Sequence, residues 1–206
     1  MSPRSALRVY ALRALVVGAA AILAAFWVVP SAWQVSRGSH VQGSALSLYR
    51  VTADLRRWDD WTPWNSRVDP GLTRTFGGAL MGKSATAAWT GPRLGTTTIQ
   101  ITAADPLGGV AWRATDAAGA MDCRIDWVAD GAEGHAVTWT CAGDEGRSPF
   151  ARWRARRRTS ALTADLDLGL AGLAAATIAL DRETAASARP APAPRPTRPD
   201  PPADPG

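Results

Sequence analysis

Apolar and polar residues alternate in short runs along the middle of the chain, with the period of two that is typical of β-strands with one buried face. Glycine, proline and aspartate separate these runs, as expected for turns. The predicted strands comprise residues 34–41, 72–76, 84–90, 96–102, 109–115, 121–129 and 136–142. The sequence therefore predicts an antiparallel meander.

The last two predicted strands also suggest a register. If Ala129 pairs with His135 across the connecting loop, counting back in steps of two sets Cys123 opposite Cys141. Directly opposed residues have Cα atoms about 4.5–5.5 Å apart, a separation that a disulfide tolerates. Two buried free thiols are the alternative, because a change of one residue in the loop register would place the sulfurs on opposite faces.

Two segments have the helical period instead. Residues 44–54 form a predicted helix with Ser44 as its N-cap, and leucines recur at helical spacing from Ser160 to about Glu183, after the basic stretch Arg152–Arg158. This order of elements predicts an α+β fold in which the last helix lies across the concave face of a curved antiparallel sheet. A sheet of this shape cannot close on one helix without leaving a space, so we expect a hydrophobic cavity.

Three tryptophans, Trp58, Trp61 and Trp64, are spaced three residues apart. This spacing places them on one side of a tight helical turn, which Pro63 ends. The segment is therefore predicted to be a short rigid element that fills part of a larger apolar space. For the intervening Asp59–Asp60 pair, capping or solvation is favoured over acid–base chemistry.

The N-terminal region is predicted to be a membrane anchor. Residues 9–29 offer about 20 residues for a bilayer-spanning helix, with Arg13 near the interface and with Trp27 and Trp33 flanking its far end. Arginines before this segment predict a cytoplasmic N-terminus, residues 1–8, and an extracytoplasmic main domain at the cell membrane. A cleaved signal peptide is the alternative, although residues 29–33 form a poor cleavage site.

The main domain is predicted to occupy residues 34–183. The Ala/Pro-rich segment that follows, residues 184–206, has almost nothing to bury and is predicted to be disordered.

Composition and motifs narrow the functional classes. The net charge of +5 comes mainly from arginine, and no basic motif with interleaved aromatic residues indicates a nucleic-acid protein. The two cysteines and two histidines lack zinc-site spacing, and no serine-hydrolase elbow, phosphate loop or dinucleotide fingerprint is present. We therefore expect no metal, no cofactor, no nucleic-acid partner and no convincing catalytic residue.

An ordered set of motifs resembles the polyketide cyclase/dehydrase branch of the START-like (SRPBCC) superfamily. The matching motifs include Trp33-Gln34-Val35, Asp54–Trp64, Asp69-Pro70, Trp89 with Gly91, and Asp165–Leu170. The resemblance implies a helix-grip fold, in which the sheet wraps around the long C-terminal helix, and a membrane-tethered bacterial member. The chain departs from the family at Ala87 and Thr90, where relatives often have an aromatic residue and an acid, and both changes enlarge or neutralise the expected pocket.

Inward-facing apolar residues of the predicted strands and last helix are the cavity candidates. They are Trp89, Ile99, Ile101, Trp112, Ile125, Trp127, Trp139, Leu166 and Leu170. For each residue alone, core packing is the competing interpretation. As a set they indicate a site for an apolar small molecule.

Three functions are consistent with these features. The leading hypothesis is a membrane-anchored START-like domain that binds a hydrophobic small molecule or lipid. A polyketide cyclase/dehydrase-like enzyme is the second, although it needs a polar group inside the cavity and the inward faces show almost none. The third is a ligand-free interaction module at the membrane surface, in which Arg152–Arg158 contact anionic lipid headgroups rather than forming a solvated helix face.

Overall fold

Seven strands form one antiparallel sheet in the computed structural model, which describes residues 10, 12–20, 31–131, 134–146, 148 and 150–188. The strand order is β1-β7-β6-β5-β4-β3-β2, so the first strand pairs with the last and the others follow as a meander. The strands are β1 Ala32–Gln42, β2 Thr73–Gly78, β3 Ala85–Gly91, β4 Gly95–Asp105, β5 Gly109–Asp116, β6 Gly119–Ala129 and β7 Gly134–Asp144. All seven predicted strands are present.

Two short helices precede the meander and one long helix follows it. They are α1 Ala45–Ala53, the 3₁₀ turn Leu55–Arg57, α2 Trp58–Trp61 and α3 Ala151–Ser187. Ser44 caps α1 as predicted, since its hydroxyl accepts a hydrogen bond from the Ser47 amide at 3.2 Å. The curved sheet and the long C-terminal helix together form the α+β, helix-grip arrangement.

The predicted bounds of the last helix were too narrow. The basic stretch Arg152–Arg158 lies inside the first turns of α3 rather than before the helix, and the helix continues past Glu183 to Ser187. Arginine and alanine are good helix formers. Neither the stretch Arg152–Arg158 nor the extension past Glu183 to Ser187 contains a glycine or a proline. The arginines therefore project from a regular helix at fixed spacing, and three of them, Arg154, Arg157 and Arg158, face the space between the helix and the sheet.

The β6–β7 register is the predicted one. Ala129 pairs with His135 and Cys123 pairs with Cys141. A disulfide joins the two cysteines, whose side chains are buried in the core. The bond links β6 and β7, the third and second strands from the β1 edge of the sheet.

Helix α3 buries one stripe against the sheet, including Leu166 and Leu173. Two glycines allow this close packing: a Cβ atom at Gly169 would collide with the Trp139 ring, and one at Gly172 with the Trp61 carbonyl oxygen. The long helix and α2 therefore meet backbone to backbone.

The Trp58–Trp61 helix fills the centre of the space between the sheet and α3. The indole nitrogens of Trp58 and Trp61 donate hydrogen bonds to the carbonyls of Thr52 and Val51 at the end of α1, at 2.9 and 3.2 Å. The Trp58 ring packs edge-on against Trp112, with centroids 5.0 Å apart. This element therefore has the structural role that its spacing predicts.

Most of the predicted membrane anchor lies outside the described residues. Residues 12–20 are helical and their large apolar side chains are exposed, while residues 21–30, including Trp27, are not described. In the described part of the chain, the helix long and apolar enough to cross a membrane is α3, which is the core helix of the fold. The anchor over residues 9–29 therefore stays a prediction. Disorder was predicted for residues 184–206, but residues 184–187 belong to α3; residues 189–206 lie outside the description, so disorder there stays a prediction.

Candidate ligand-binding cavity

A cavity of about 500 Å³ lies between the sheet and the N-terminal half of α3. Its base is buried and apolar, and consists of Trp89, Ile99, Trp112, Ala114, Met121 and Leu162. The α3 residues that line it follow one helical stripe from Trp153 to Asp165, which corresponds to about 18 Å along the helix axis. The cavity is therefore an elongated apolar space that runs beside the helix.

The cavity opens at one end of the sheet. The β3–β4 turn, with Arg93–Gly95, and the β5–β6 turn, with Ala118, contribute to its rim. Strand β1 begins at this same end, because Ala32 pairs with Asp144 at the end of β7. The chain therefore enters the sheet at the end where the cavity opens.

Three of the predicted cavity residues line this space. They are Trp89, Ile99 and Trp112, on the neighbouring strands β3, β4 and β5. The other six are buried in the core and do not line the cavity: Ile101, Ile125, Trp127, Trp139, Leu166 and Leu170. Core packing places them there because the tryptophan cluster occupies the centre of the space, as the 5.5 Å separation of the Trp61 and Trp139 rings illustrates.

Asp165 is a polar group of the cavity that the sequence interpretation missed. The Trp64 indole nitrogen donates a hydrogen bond to its Oδ2 atom at 3.2 Å. Burial raises the pKa of Asp165, and the hydrogen bond from Trp64 offsets only part of that effect. The expectation of almost no polar group inside the cavity was therefore wrong. The signal was available, since Asp165 lies three residues after Leu162 on the buried stripe.

The other two carboxylates of the cavity are held by arginine. Arg158 donates to Asp116 at 2.7 Å and lies 3.7 Å from the Glu145 carboxylate, with only 13% of its side chain exposed. Arg154 pairs with Glu145 from the other side at 3.4 Å. The Arg158 guanidinium also lies 5.6 Å from the centre of the Trp33 ring. This cluster joins the ends of β5 and β7 to α3.

Arg157 differs from Arg154 and Arg158, the other two α3 arginines that line the cavity. Its guanidinium lies 4.8 Å from the centre of the Trp153 ring, and it makes no ion pair within the described residues. Trp153 is 58% exposed and Phe150, one turn earlier, is 68% exposed. Arg157 and Trp153 therefore border the solvent side of the cavity, and the exposed Phe150 lies one turn before them in sequence.

Neither histidine forms a site in the described part of the chain. His40 Nε2 lies 3.9 Å from the exposed carboxylate of Asp130. His135 is half-buried, and its buried Nδ1 atom has no hydrogen-bond partner among the described residues. No group of three or more potential metal-ligating side chains occurs among the described residues.

The chain matches no family model and no curated protein sequence. Its fold is similar to that of a Staphylococcus aureus protein of unknown function, with 8% identity, a TM-score of 0.59, and coverage of 75% of this chain and 99% of that one. A point mutant of norcoclaurine synthase from Thalictrum flavum, solved with a transition-state analogue, is similar at 14% identity and a TM-score of 0.53, covering 77% and 99%. A Thermobifida fusca protein solved by NMR is similar at 18% identity and a TM-score of 0.53, covering 68% and 90%.

The solved neighbours have helix-grip, Bet v1-like folds. This chain therefore has the helix-grip fold that the motif resemblance implied. At such low identities the likeness concerns the fold alone.

Proposed function

We propose that this protein is a membrane-anchored START-like domain that binds a hydrophobic small molecule or a lipid between the sheet and α3. The cavity itself carries this proposal. Its volume of about 500 Å³ falls within the range of about 300–1,000 Å³ typical of ligand pockets, and its apolar base with few polar groups is typical of them too.

The two tryptophans of α2, Trp58 and Trp61, do not fill this cavity. Trp58 and Trp61 pack against the strands at the centre of the sheet and donate their indole hydrogens to α1, so their positions are fixed by hydrogen bonds as well as by packing. The cavity lies beyond them, beside the first turns of α3. A ligand would therefore occupy space that no side chain fills.

The membrane anchor belongs to the proposal as well. With residues 9–29 in the bilayer, residues 1–8 in the cytoplasm and the domain outside, the Cys123–Cys141 bond would form in an oxidising compartment. The apolar segment ends at Val29, two residues before Ser31, whose hydroxyl donates to Asp144 at 2.7 Å. So short a connection would hold the mouth of the cavity next to the membrane.

Photo-crosslinking in the full-length protein tests the binding function. The protein is reconstituted in lipid nanodiscs, irradiated with a diazirine-bearing fatty alcohol, and digested for peptide mass spectrometry. Crosslinks should concentrate in the peptides that contain Trp89, Trp112 and Leu162. Crosslinks confined to residues 9–29, with none in those three peptides, would leave the domain without a ligand and favour the interaction-module hypothesis.

Asp165 favours a second candidate, a polyketide cyclase/dehydrase-like enzyme. A carboxyl group with a raised pKa inside an apolar cavity can donate a proton to a bound substrate. The test compares the small molecules that copurify with the wild type and with Asp165→Asn, with Asp167→Asn as the exposed control. An uncyclised or undehydrated precursor found only with Asp165→Asn would support the enzyme. The same molecule in all three preparations would exclude it.

A further inference from the structure

The charges that line the cavity are separated along α3. Arg154, Arg157 and Arg158 lie in its first turns, whereas Asp165 follows the apolar middle section. Arg157 and Asp165 are eight residues apart, which corresponds to about 12 Å along the helix axis. Along α3 the cavity lining therefore has a cationic end, an apolar middle and an acidic end, while Asp116, Glu145 and Arg93 line the cavity from outside this helix.

Of the three α3 arginines that line the cavity, Arg157 is the one that makes no ion pair within the described residues. Arg93 lines the cavity from the β3–β4 turn, where its guanidinium donates to the Val68 carbonyl at 2.9 Å. Arg158 and Arg154 are paired with Asp116 and Glu145, and these pairs leave little capacity for an outside anion. Arg157 contacts the Trp153 ring face and makes no ion pair within the described residues. A guanidinium in that state keeps several N–H donors for a carboxylate or phosphate.

At the acidic end, Asp165 has the opposite effect. It has a hydrogen bond from Trp64 but no cationic partner among the described residues. An anionic group bound there would face a carboxylate in a partly buried setting, where repulsion is stronger than in water. The two ends together admit one orientation of an anionic ligand, with its acidic group at Arg157.

We infer that the ligand is an anionic amphiphile, whose carboxylate or phosphate is bound by Arg157 while its apolar chain lies against Trp89, Trp112 and Leu162. This inference rests on the proposed binding function and names the chemical class of its ligand. The exposed Trp153, whose ring contacts Arg157, matches the headgroup region of a bilayer, where aromatic rings with one wet side are favoured. The amphiphile's source is either a free single-chain acid or a lipid of the bilayer.

The test uses probes with one chain length and different headgroups. Diazirine-bearing fatty acid, fatty alcohol and alkylamine are titrated against full-length protein in nanodiscs, and crosslinks in the Leu162 peptide are quantified. The acid should crosslink at the lowest concentration. Arg157→Gln should weaken binding of the fatty acid about tenfold or more, so that the acid crosslinks at the same concentration as the alcohol. Binding of the alcohol should not change. Arg157→Lys keeps the charge but loses the planar arrangement of N–H donors, so its affinity for the fatty acid should lie between those of the wild type and Arg157→Gln.

The matched control is Arg152→Gln, since Arg152 lies on the same helix but does not line the cavity. It should leave all three probes unchanged. Equal crosslinking of the acid and the alcohol, with no effect of Arg157→Gln, would overturn the inference while the binding function stood. Absence of all three probes from the cavity peptides would instead overturn the binding function and this inference with it.

A diazirine-bearing anionic phospholipid placed in the nanodisc distinguishes the two sources of the amphiphile. Cavity crosslinks from this phospholipid identify a bilayer lipid, and crosslinks from the fatty acid alone identify a free acid.

Discussion

The Trp64 indole donates a hydrogen bond to Asp165 at 3.2 Å, across 101 residues of sequence. This bond links the tryptophan-rich segment before the meander to the long helix after it. It also places an acidic group beside the apolar base of the cavity. The same contact therefore joins two distant parts of the fold and lies at one end of the candidate site.

Replacing Asp165 should change the pH dependence of stability. Burial raises the pKa of Asp165 in the folded state, so folding favours its protonated form and disfavours its ionised form. The stability of the wild type should consequently fall as the pH rises through the ordinary pKa and the raised one, whereas Asp165→Asn cannot ionise and keeps an oxygen for the Trp64 indole. We expect Asp165→Asn to have the higher Tm at pH 7 and about the wild-type Tm near pH 3.

Thermal unfolding by circular dichroism at the two pH values measures this difference. Asp167→Asn is the control, because Asp167 lies on the same helix, is 58% exposed and has only a solvent-exposed ion pair, with Arg37 at 3.2 Å, among the described residues. A Tm difference between Asp165→Asn and the wild type that is the same at both pH values would contradict the assignment of a raised pKa to Asp165.

The disulfide should contribute measurably to stability. Cys123 and Cys141 are 18 residues apart in sequence, and closing a loop of that length stabilises a domain by about 3 kcal/mol in the chain-entropy treatment. Reductant should therefore lower the free energy of unfolding of the wild type by about that amount in urea titrations. The Cys123→Ala/Cys141→Ala double variant should be indifferent to reductant. Equal sensitivity in the two proteins would show that the effect does not come from this bond.

The domain should be oriented with its cavity mouth toward the membrane. Since both native cysteines are bonded, a single introduced cysteine can be labelled selectively with a fluorophore. A label at Ala118→Cys, on the cavity rim, should be quenched by lipids that carry a spin label on the headgroup. Leu107 is 79% exposed and lies in the β4–β5 turn at the opposite end of the sheet. A label at Leu107→Cys should not be quenched. Equal quenching at both positions would refute this orientation.

The strand pattern was predictable because alternation and turn residues are local signals. The pairing of Cys123 with Cys141 followed from one loop length and a period of two. The start of α3 was misplaced because the arginine stretch has no apolar stripe strong enough to mark a helix, although its intrinsic helix propensity is high. Intrinsic helix propensity therefore indicates the start of α3, which the spacing of apolar residues does not.

The position of the cavity was less accessible to sequence reasoning. Every inward apolar residue has the same pattern in sequence, whether it packs against another side chain or borders a space. Trp139 and Trp89 illustrate this: both are buried strand residues that pack against a tryptophan of α2, yet only Trp89 of the two lines the cavity. Only the placement of α2 against the centre of the sheet separates the two groups. The ion pairs of Arg158 likewise depend on contacts between β5, β7 and α3.

Filling the cavity from within tests the central claim most directly. Leu162 is buried at the cavity base, whereas Leu168 on the same helix is 64% exposed and does not line the cavity. Leu162→Trp would place an indole in the cavity, and Leu168→Trp makes the same chemical change outside it. Circular dichroism first establishes that both variants are folded. Crosslinking of the diazirine-bearing fatty acid to the peptide that contains Trp89 and to the one that contains Trp112 should then be lost in Leu162→Trp and retained in Leu168→Trp. Equal crosslinking in the two variants would show that the ligand does not occupy this cavity.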